Sequence, residues 1–279
     1  MAIRVGTCAF TDHEGFYPPT LPPGERLSYY ARRFDLVEVD STFYGLPRPS
    51  TLERWVEATS EGFTMDIKAE RRMTGHVRGI ALAEQLAACR EFAERFRGFS
   101  RSGRMGYVLL QFPPWLRRDE AAGQALRRLR GELGEFRVSV EMRNRSWYQG
   151  GGEELFSLLR EIRAAHVVAD EPQVGQGSVP LLAAVTDEVS ILRLHGRNAE
   201  TWYVRGTSSQ DRFYYLYSPE ELMALRHTAQ VLGESAREVH VLFNNNHGDF
   251  AIRGALAMQE MLGPAGAPRD PGDGLFGPA

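Results

Sequence analysis

The sequence predicts an α/β protein that folds as a single (β/α)8 TIM-like barrel. Short β-rich runs alternate with amphipathic helical patterns along most of the 279-residue chain. There are eight such runs, which is the strand number of this barrel, and a chain of about 250 residues is its usual size. No Gly-x-Gly-x-x-Gly pattern follows the first run, where the chain reads GTCAFTDHEG. The missing glycine pattern disfavours a doubly wound dinucleotide-binding fold.

The predicted strands are largely continuous apolar runs, as expected of parallel strands that are covered on both faces. They are Ile3–Cys8, Leu36–Val39, Phe63–Lys68, Met105–Gln111, Arg137–Glu141, His166–Asp170, Val189–His195 and Glu238–Asn244.

Helical periodicity fills most of the intervals, with proline, serine or acidic residues at several predicted helix starts. The predicted helices are Ala81–Arg97, Asp119–Leu133, Glu153–Ala165, Glu220–Leu232 and Ala251–Leu262, and another is expected to begin near Thr51. The sixth βα unit is expected to be irregular, because EPQVGQGSVPLLAAVTDE is too rich in glycine and proline for a normal helix. We predict one barrel domain over residues 1–262 and a flexible Gly/Pro-rich tail over residues 263–279.

The composition is that of an ordinary globular protein, with 43% hydrophobic and 25% charged residues. A net charge of −3 predicts no general attraction to nucleic acid or to anionic membranes. Two cysteines are too few for a disulfide framework. The start of the sequence lacks the pattern of a signal peptide, and no run of 18 apolar residues occurs. These features predict a cytoplasmic protein with no membrane contact.

In a (β/α)8 barrel the functional groups lie at the C-terminal ends of the strands. Polar residues are concentrated at those ends here, whereas the upstream parts of the same strands are mainly apolar. The predicted catalytic residues are Lys68, Glu141, Asp170 and His195. The predicted substrate-binding residues are Glu38, Asp40, Tyr44, Gln111, Arg143, Trp147, Arg197, Trp202, Asn244 and Asn245.

Six segments of the chain resemble signature segments of the YecE-like family, a bacterial domain of unknown function. These segments are VEVDSTFYGLP, FTMDIKAERRMTGH, LLQFPP, VEMRNRSWY, LRLHGRN and VLFNNNHGDFA. They occur in the family's order, and the resemblance implies a (β/α)8 barrel without implying an activity. The chain departs from the family after the first strand, where Ala9 and Phe10 replace a frequent Gly-Trp pair.

Lys68 is the only lysine among the 33 basic residues, and it ends the third predicted strand. Functional hypotheses for its ammonium group are a phosphate or carboxylate contact, an electrostatic stabiliser and a Schiff-base amine. The alternative is a structural ion pair with Glu38 or Asp66.

Glu141, Asp170 and His195 end three consecutive strands and are predicted to share one cavity, where they could perform acid–base chemistry. A carboxylate among like charges would be unfavourable in the folded state, so Glu141→Gln is expected to leave stability unchanged or slightly raised. The alternative is an ion pair of Glu141 with Arg143 or Arg197. A divalent metal is a weaker hypothesis, because the chain contains no HxH or HExxH spacing.

A small anion is the predicted ligand. Barrel phosphate sites commonly follow strands 7 and 8, where Arg197 and Asn244–Asn246 lie. Aromatic residues such as Trp115, Trp147 and Trp202 follow several strands and could stack on a sugar or base, or simply anchor the loops. We therefore predict an enzyme acting on a phosphorylated or sugar-like substrate. The alternatives are a metal-dependent, nuclease-like barrel acting on nucleic acid and a non-catalytic binding protein.

Overall fold

Eight parallel strands form a closed barrel in sequential order, β1 to β8, which confirms the predicted fold class. The computed structural model describes residues 2–204 and 209–263. The strands are β1 (Ala2–Cys8), β2 (Leu36–Val39), β3 (Thr64–Lys68), β4 (Met105–Gln111), β5 (Arg137–Glu141), β6 (Ala164–Asp170), β7 (Val189–Leu194) and β8 (Glu238–Phe243). The barrel closes because β1 pairs with both β2 and β8.

Helices cover the outside of the barrel. They are α1 (Arg26–Tyr30), α2 (Pro49–Glu57), α3 (Leu82–Ser100), α4 (Glu120–Glu132), α5 (Glu153–Glu161), α6 (Ser209–Arg212), α7 (Pro219–Ser235) and α8 (Phe250–Leu262). No helix joins β6 to β7, which confirms the irregular sixth unit. The predicted extension of the fifth helix to Ala165 is wrong: α5 ends at Glu161 and β6 begins at Ala164. The turn between them places Arg163 at a left-handed φ of 52°.

Side chains alternate along each strand between the helix layer and the barrel interior. The central layer of the interior is mainly apolar and includes Cys8, Leu36, Tyr107, Leu109, Ala165, Val167, Val189, Ile191 and Leu242. Charged side chains lie both above and below this layer. The upper set faces the C-terminal ends of the strands and forms the base of the candidate site.

The lower charged set is centred on His240 of β8. Its Nδ1 lies 2.7 Å from Asp66 Oδ2, and its Nε2 lies 3.5 Å from Glu238 Oε1. Asp66 is fixed on its other side by the backbone N–H of Tyr107, which donates to Oδ1 over 2.8 Å. A Cβ on Gly106 would lie 2.2 Å from that same oxygen. Glycine at position 106 therefore lets the Asp66 carboxylate lie against β4.

Ala9, immediately after β1, adopts a left-handed φ of 69°. This conformation costs a residue with a Cβ about 1–2 kcal/mol. Glycine, which the family resemblance leads one to expect here, avoids most of that cost. We expect Ala9→Gly to raise the free energy of unfolding by up to about 1 kcal/mol, measured by urea unfolding. The matched control, Ala224→Gly within α7, should lower it by about 1 kcal/mol. A loss of stability in both variants would contradict the argument.

Within the two described ranges, no helix has the length and apolar character needed to cross a membrane. Residues 264–279 of the predicted tail lie outside the described residues.

Candidate functional site

A cavity of about 680 Å³ opens at the C-terminal end of the barrel. Its charged lining residues are Asp12, Asp40, Lys68, Arg143 and Arg212. Its neutral polar lining residues include Thr11, Ser41, Gln111, Asn244 and Asn246. Its aromatic lining residues are Phe43, Tyr44, His76, Phe112, Trp115, Trp202, Tyr203 and Phe213. The volume lies in the usual range for small-molecule pockets, roughly 300–1,000 Å³.

Lys68 lies at the end of β3 and lines this cavity, with 14% of its side chain exposed. Its Nζ is 3.6 Å from Asp40 Oδ2 and 5.1 Å from the centre of the Phe43 ring. The predicted structural partners of Lys68 are occupied elsewhere, since Glu38 pairs with Arg193 and Asp66 pairs with His240. Among the described residues, Asp40 is the carboxylate that pairs with Lys68, and Lys68 lines the cavity.

Asp40 is the acidic partner of Lys68. Burial raises the pKa of the Asp40 carboxyl, but the Lys68 ammonium, a hydrogen bond with Glu38 and the charge of Arg193 together outweigh burial and hold the pKa below its ordinary value. Asp40 is consequently ionised at neutral pH. Its Oδ1 is buried and has no hydrogen-bond partner within residues 2–204 and 209–263.

Arg193 of β7 is fully buried beneath the cavity floor. Its Nη1 donates to Glu141 Oε2 over 2.5 Å, and its Nη2 donates to Glu38 Oε1 over 2.6 Å. Arg193 was not among the predicted site residues, because it lies within the apolar run VSILRLH. The signal was its two-residue spacing from His195, which places both side chains on the inner face of β7.

Glu141 is surrounded by positive charge, so the predicted like-charge environment is wrong. Besides the bond from Arg193, its Oε1 accepts from Gln111 Nε2 over 2.8 Å and from Arg143 Nη1 over 2.9 Å. Burial would raise the pKa of this carboxyl, but Arg193 and Arg143 hold it well below the ordinary value. The alternative ion pair with Arg143 is confirmed. Glu141 is fully buried and does not line the cavity.

His195 is also buried and lies directly beside Glu141, with Nε2 and Oε1 separated by 3.2 Å. Burial lowers the pKa of the imidazole to about 4, so the ring is neutral at pH 7. The side-chain amide of Asn244 lies 2.8 Å from Nδ1. Nε2 also lies 3.2 Å from Arg143 Nη1, which can only donate a hydrogen bond. Glu141 and His195 therefore both lie beneath the cavity floor and support it.

Asp170 does not join Glu141 and His195, so the prediction of one shared cavity is wrong. Its oxygens accept from Arg197 over 2.8 and 3.0 Å and from the Tyr217 hydroxyl over 2.7 Å. The next residue, Glu171, takes the inner position instead: its Oε2 lies 2.8 Å from Arg143 Nη2. Burial raises the pKa of Glu171 to about 7.

Three predicted substrate-binding residues lie away from the cavity. Arg197 is held by Asp170 and by Glu221, at 2.9 Å. The side chain of Asn245 is buried and donates to the Tyr215 carbonyl over 2.8 Å. Trp147 is buried and donates from its indole to the Leu116 carbonyl over 2.9 Å. Because these three side chains form hydrogen bonds within the protein, their role is to support the loops.

The remaining predicted binding residues fall into two sets. Tyr44, Gln111, Arg143, Trp202 and Asn244 line the cavity together with Asp40, whereas Glu38 lies below it. Burial raises the pKa of Glu38 well above its ordinary value, although Arg193 opposes this shift. The contact of these residues with a substrate stays a prediction.

His76 is a cavity residue that the sequence analysis did not single out, although it closes the quoted segment FTMDIKAERRMTGH. Its Nδ1 lies 2.8 Å from the Thr74 hydroxyl, and its ring is edge-on to Phe43 at 4.9 Å and to Trp115 at 5.9 Å. Burial, reinforced by Lys68 and Arg143, lowers the pKa of His76 to about 4. Its imidazole is therefore neutral at pH 7.

Among the residues described, no group of three or more His, Cys, Asp or Glu side chains is arranged to hold a metal ion.

Comparison with known proteins explains the shared sequence segments. The profile of the family described as "Protein of unknown function DUF72" matches residues 4–273. The chain belongs to the DUF72 family. It is 33% identical to the UPF0759 protein YunF of Bacillus subtilis (strain 168) over 266 residues, covering 93% of this chain and 94% of that protein. The UPF0759 proteins named YecE from Escherichia coli also match, which confirms the resemblance to the YecE-like family.

Solved structures agree with the barrel. The crystal structure of a DUF72 family protein from Enterococcus faecalis V583 superposes with a TM-score of 0.82 at 28% identity, covering 93% of this chain and 95% of that chain. An AP endonuclease, family 2, from Brucella melitensis superposes with a TM-score of 0.54 at 11% identity, over 92% of this chain and 98% of that one. At that identity the likeness extends to the fold alone.

Proposed function

We propose that this DUF72 barrel is an enzyme whose cavity binds a small anionic molecule, phosphorylated or sugar-like. The observation that carries the proposal is the position of Lys68 and Arg143, which both line the cavity with cationic side chains. Gln111 and Asn244 add neutral amide groups to the same lining. Charged donors and amides together suit a phosphate or carboxylate, which accepts several hydrogen bonds at once.

Asp40 adds a requirement for a hydroxyl group on the ligand. A bare anion would be repelled by this ionised carboxylate, whereas a hydroxyl can donate a hydrogen bond to it. A sugar phosphate or a sugar acid carries both an anionic group and hydroxyls. In this assignment Lys68 binds the anionic group, and Asp40 accepts a hydrogen bond from a hydroxyl group of the ligand.

The roles of Glu141 and His195 change in this proposal. Each is fully buried, and the oxygens of Glu141 are already hydrogen-bonded by Arg193, Arg143 and Gln111. They act as positioning residues that orient Arg143 and Asn244 from below. Because Glu141 and His195 already have hydrogen-bond partners within the protein, the site also favours a second candidate function, that of a binding protein without turnover. Turnover assays on ligands that bind would separate the two candidates.

Lys68→Met is expected to weaken binding of ribose 5-phosphate by about 10- to 100-fold, because a charge-assisted hydrogen bond contributes roughly 1.5–3 kcal/mol. Isothermal titration calorimetry measures the affinity, and Lys68→Arg is expected to be impaired as well, because arginine cannot reproduce a compact point charge.

Arg48→Met is the control, since Arg48 is an exposed cation at the start of α2 and outside the cavity. Wild-type affinity in a folded Lys68→Met variant would refute the role of Lys68. Failure of the wild-type protein to bind any phosphorylated or carboxylated sugar would refute the proposed ligand class.

A further inference from the structure

The cavity mouth carries a continuous row of aromatic rings on the side of β2, β3 and β4. Tyr44 contacts Phe43 at 5.3 Å between ring centres, Phe43 contacts His76 at 4.9 Å, and His76 contacts Trp115 at 5.9 Å. Successive rings meet edge to face, at 73–90°. Tyr44 is 76% exposed and Trp115 is 50% exposed. Large aromatic surfaces left in contact with water at a cavity mouth are typical of ligand contacts.

A second aromatic group comes from the segment that follows β7. Tyr203 and Phe213 follow β7 and line the same cavity, and Tyr203 is 49% exposed. In the closed order β1 to β8, β7 lies four strands from β3 and therefore directly across the barrel. Phe213 is supported from behind by Trp202, with ring centres 6.2 Å apart. The cavity is thus lined by aromatic side chains from the segments that follow β2, β3 and β4 and from the segment that follows β7, with cations at its base.

Three cations lie against rings of these aromatic groups, and two of them, Lys68 and Arg143, also line the cavity. Arg78 lies 5.4 Å from the centre of the Trp115 ring and Lys68 lies 5.1 Å from that of Phe43. Arg143 lies 5.3 Å from the centre of the Trp202 ring. Such contacts fix the orientation of the rings. Less side-chain conformational entropy is therefore lost when a ligand binds.

The size of the cavity exceeds what a small sugar phosphate would fill. Pockets of this volume, about 680 Å³, usually bury drug-sized ligands. A planar heterocycle would fill the aromatic mouth, while a phosphate reaches the cationic base. The neutral His76 ring lies between Phe43 and Trp115, so no positive charge interrupts the aromatic row.

We infer that the ligand is a phosphorylated nucleoside, with its base at the two aromatic groups and its phosphate at Lys68 and Arg143. This inference rests on the proposed function, because it places the anionic group at the same two cations. It adds a planar base, which binds by stacking on Trp115 and other rings that line the cavity.

The test compares three probes by isothermal titration calorimetry: adenosine 5′-monophosphate, ribose 5-phosphate and adenosine. Stacking of one base should make adenosine 5′-monophosphate at least about tenfold tighter than ribose 5-phosphate. Guanosine, cytidine and uridine 5′-monophosphates extend the test to other bases. Trp115→Ala should reduce the ratio of the two phosphate affinities towards one. Tyr214→Ala is the matched control, because Tyr214 is 55% exposed, follows β7 and does not line the cavity.

Each outcome separates the inference from the proposed function. If all four nucleoside monophosphates bind no tighter than ribose 5-phosphate, the nucleoside assignment is overturned while the anion site stands. If adenosine binds as tightly as its monophosphate, the phosphate contact fails. If a single-stranded oligonucleotide binds and no mononucleotide does, the ligand is a nucleic acid and the inference is wrong. An unchanged ratio in a folded Trp115→Ala variant would also overturn it.

Discussion

Replacing Glu141 with glutamine is expected to lower the free energy of unfolding by about 3–5 kcal/mol. Arg193 is fully buried, and its guanidinium pairs with both Glu141 and Glu38. Removing the Glu141 charge therefore leaves the Arg193 guanidinium without adequate compensation in the barrel interior. For a domain of this size the loss corresponds to a fall in melting temperature of roughly 10 °C, measurable by calorimetry.

Glu161→Gln provides the matched control. Glu161 forms a bidentate pair with Arg127, with both distances 2.7 Å, but this pair lies at the protein surface. Exposed pairs contribute little, because water and salt screen them. We expect the control to melt close to the wild-type temperature. Equal melting temperatures for the two variants would show that the buried ion pairs do not stabilise the barrel.

Stability is expected to fall as pH rises from about 7 to above 9, because of His240. Burial alone would lower the pKa of this imidazole, but Asp66 and Glu238 raise it to about 9 from an ordinary value of 6.5. The folded state therefore binds the proton more tightly than the unfolded state. The resulting stabilisation is complete below pH 6.5 and disappears as pH rises through about 9. A shift of this size corresponds to about 3 kcal/mol.

Urea unfolding at pH 6.5 and pH 9.5 measures this dependence, and His240→Gln should flatten it. Glu171, with its pKa of about 7, also titrates near the lower end of this window, and the smaller fall in stability that it causes should remain in His240→Gln. His227→Gln is the control, because His227 is exposed on α7. A His240→Gln protein with the wild-type pH dependence would assign the loss of stability to other groups.

The barrel was predictable because strand patterns depend on short runs of sequence. Each predicted strand coincides with an observed strand to within two residues at either end, as for Phe63–Lys68 against Thr64–Lys68. The fifth helix was misjudged because Ala164 and Ala165 fit either a helix or a buried strand. Pairing with Val138 and Ser139 of β5 places them in β6.

The site was less predictable because a strand end does not reveal which side its last residue faces. Asp170 and Glu171 are adjacent carboxylates, yet Asp170 bonds Arg197 outside the cavity and Glu171 reaches Arg143. Side chains alternate along a strand, so continuing the inner series Val167 and Ala169 by two residues predicts Glu171 as the next inner residue. Arg193 could not be recognised from its apolar neighbours alone, since its partners come from β2 and β5.

The buried contacts of Arg193 also bear on how the chain is synthesised. Glu38 and Glu141 leave the ribosome well before Arg193, which belongs to the seventh strand. An N-terminal fragment ending after β5 would hold both carboxylates with no Arg193 between them, and it would have no β8 to pair with β1. Partial barrels made during translation therefore lack the ion pairs and the strand pairing that would stabilise a closed barrel. The completed chain alone supplies the charge that joins three distant strands, which favours folding of the barrel as one late, cooperative event.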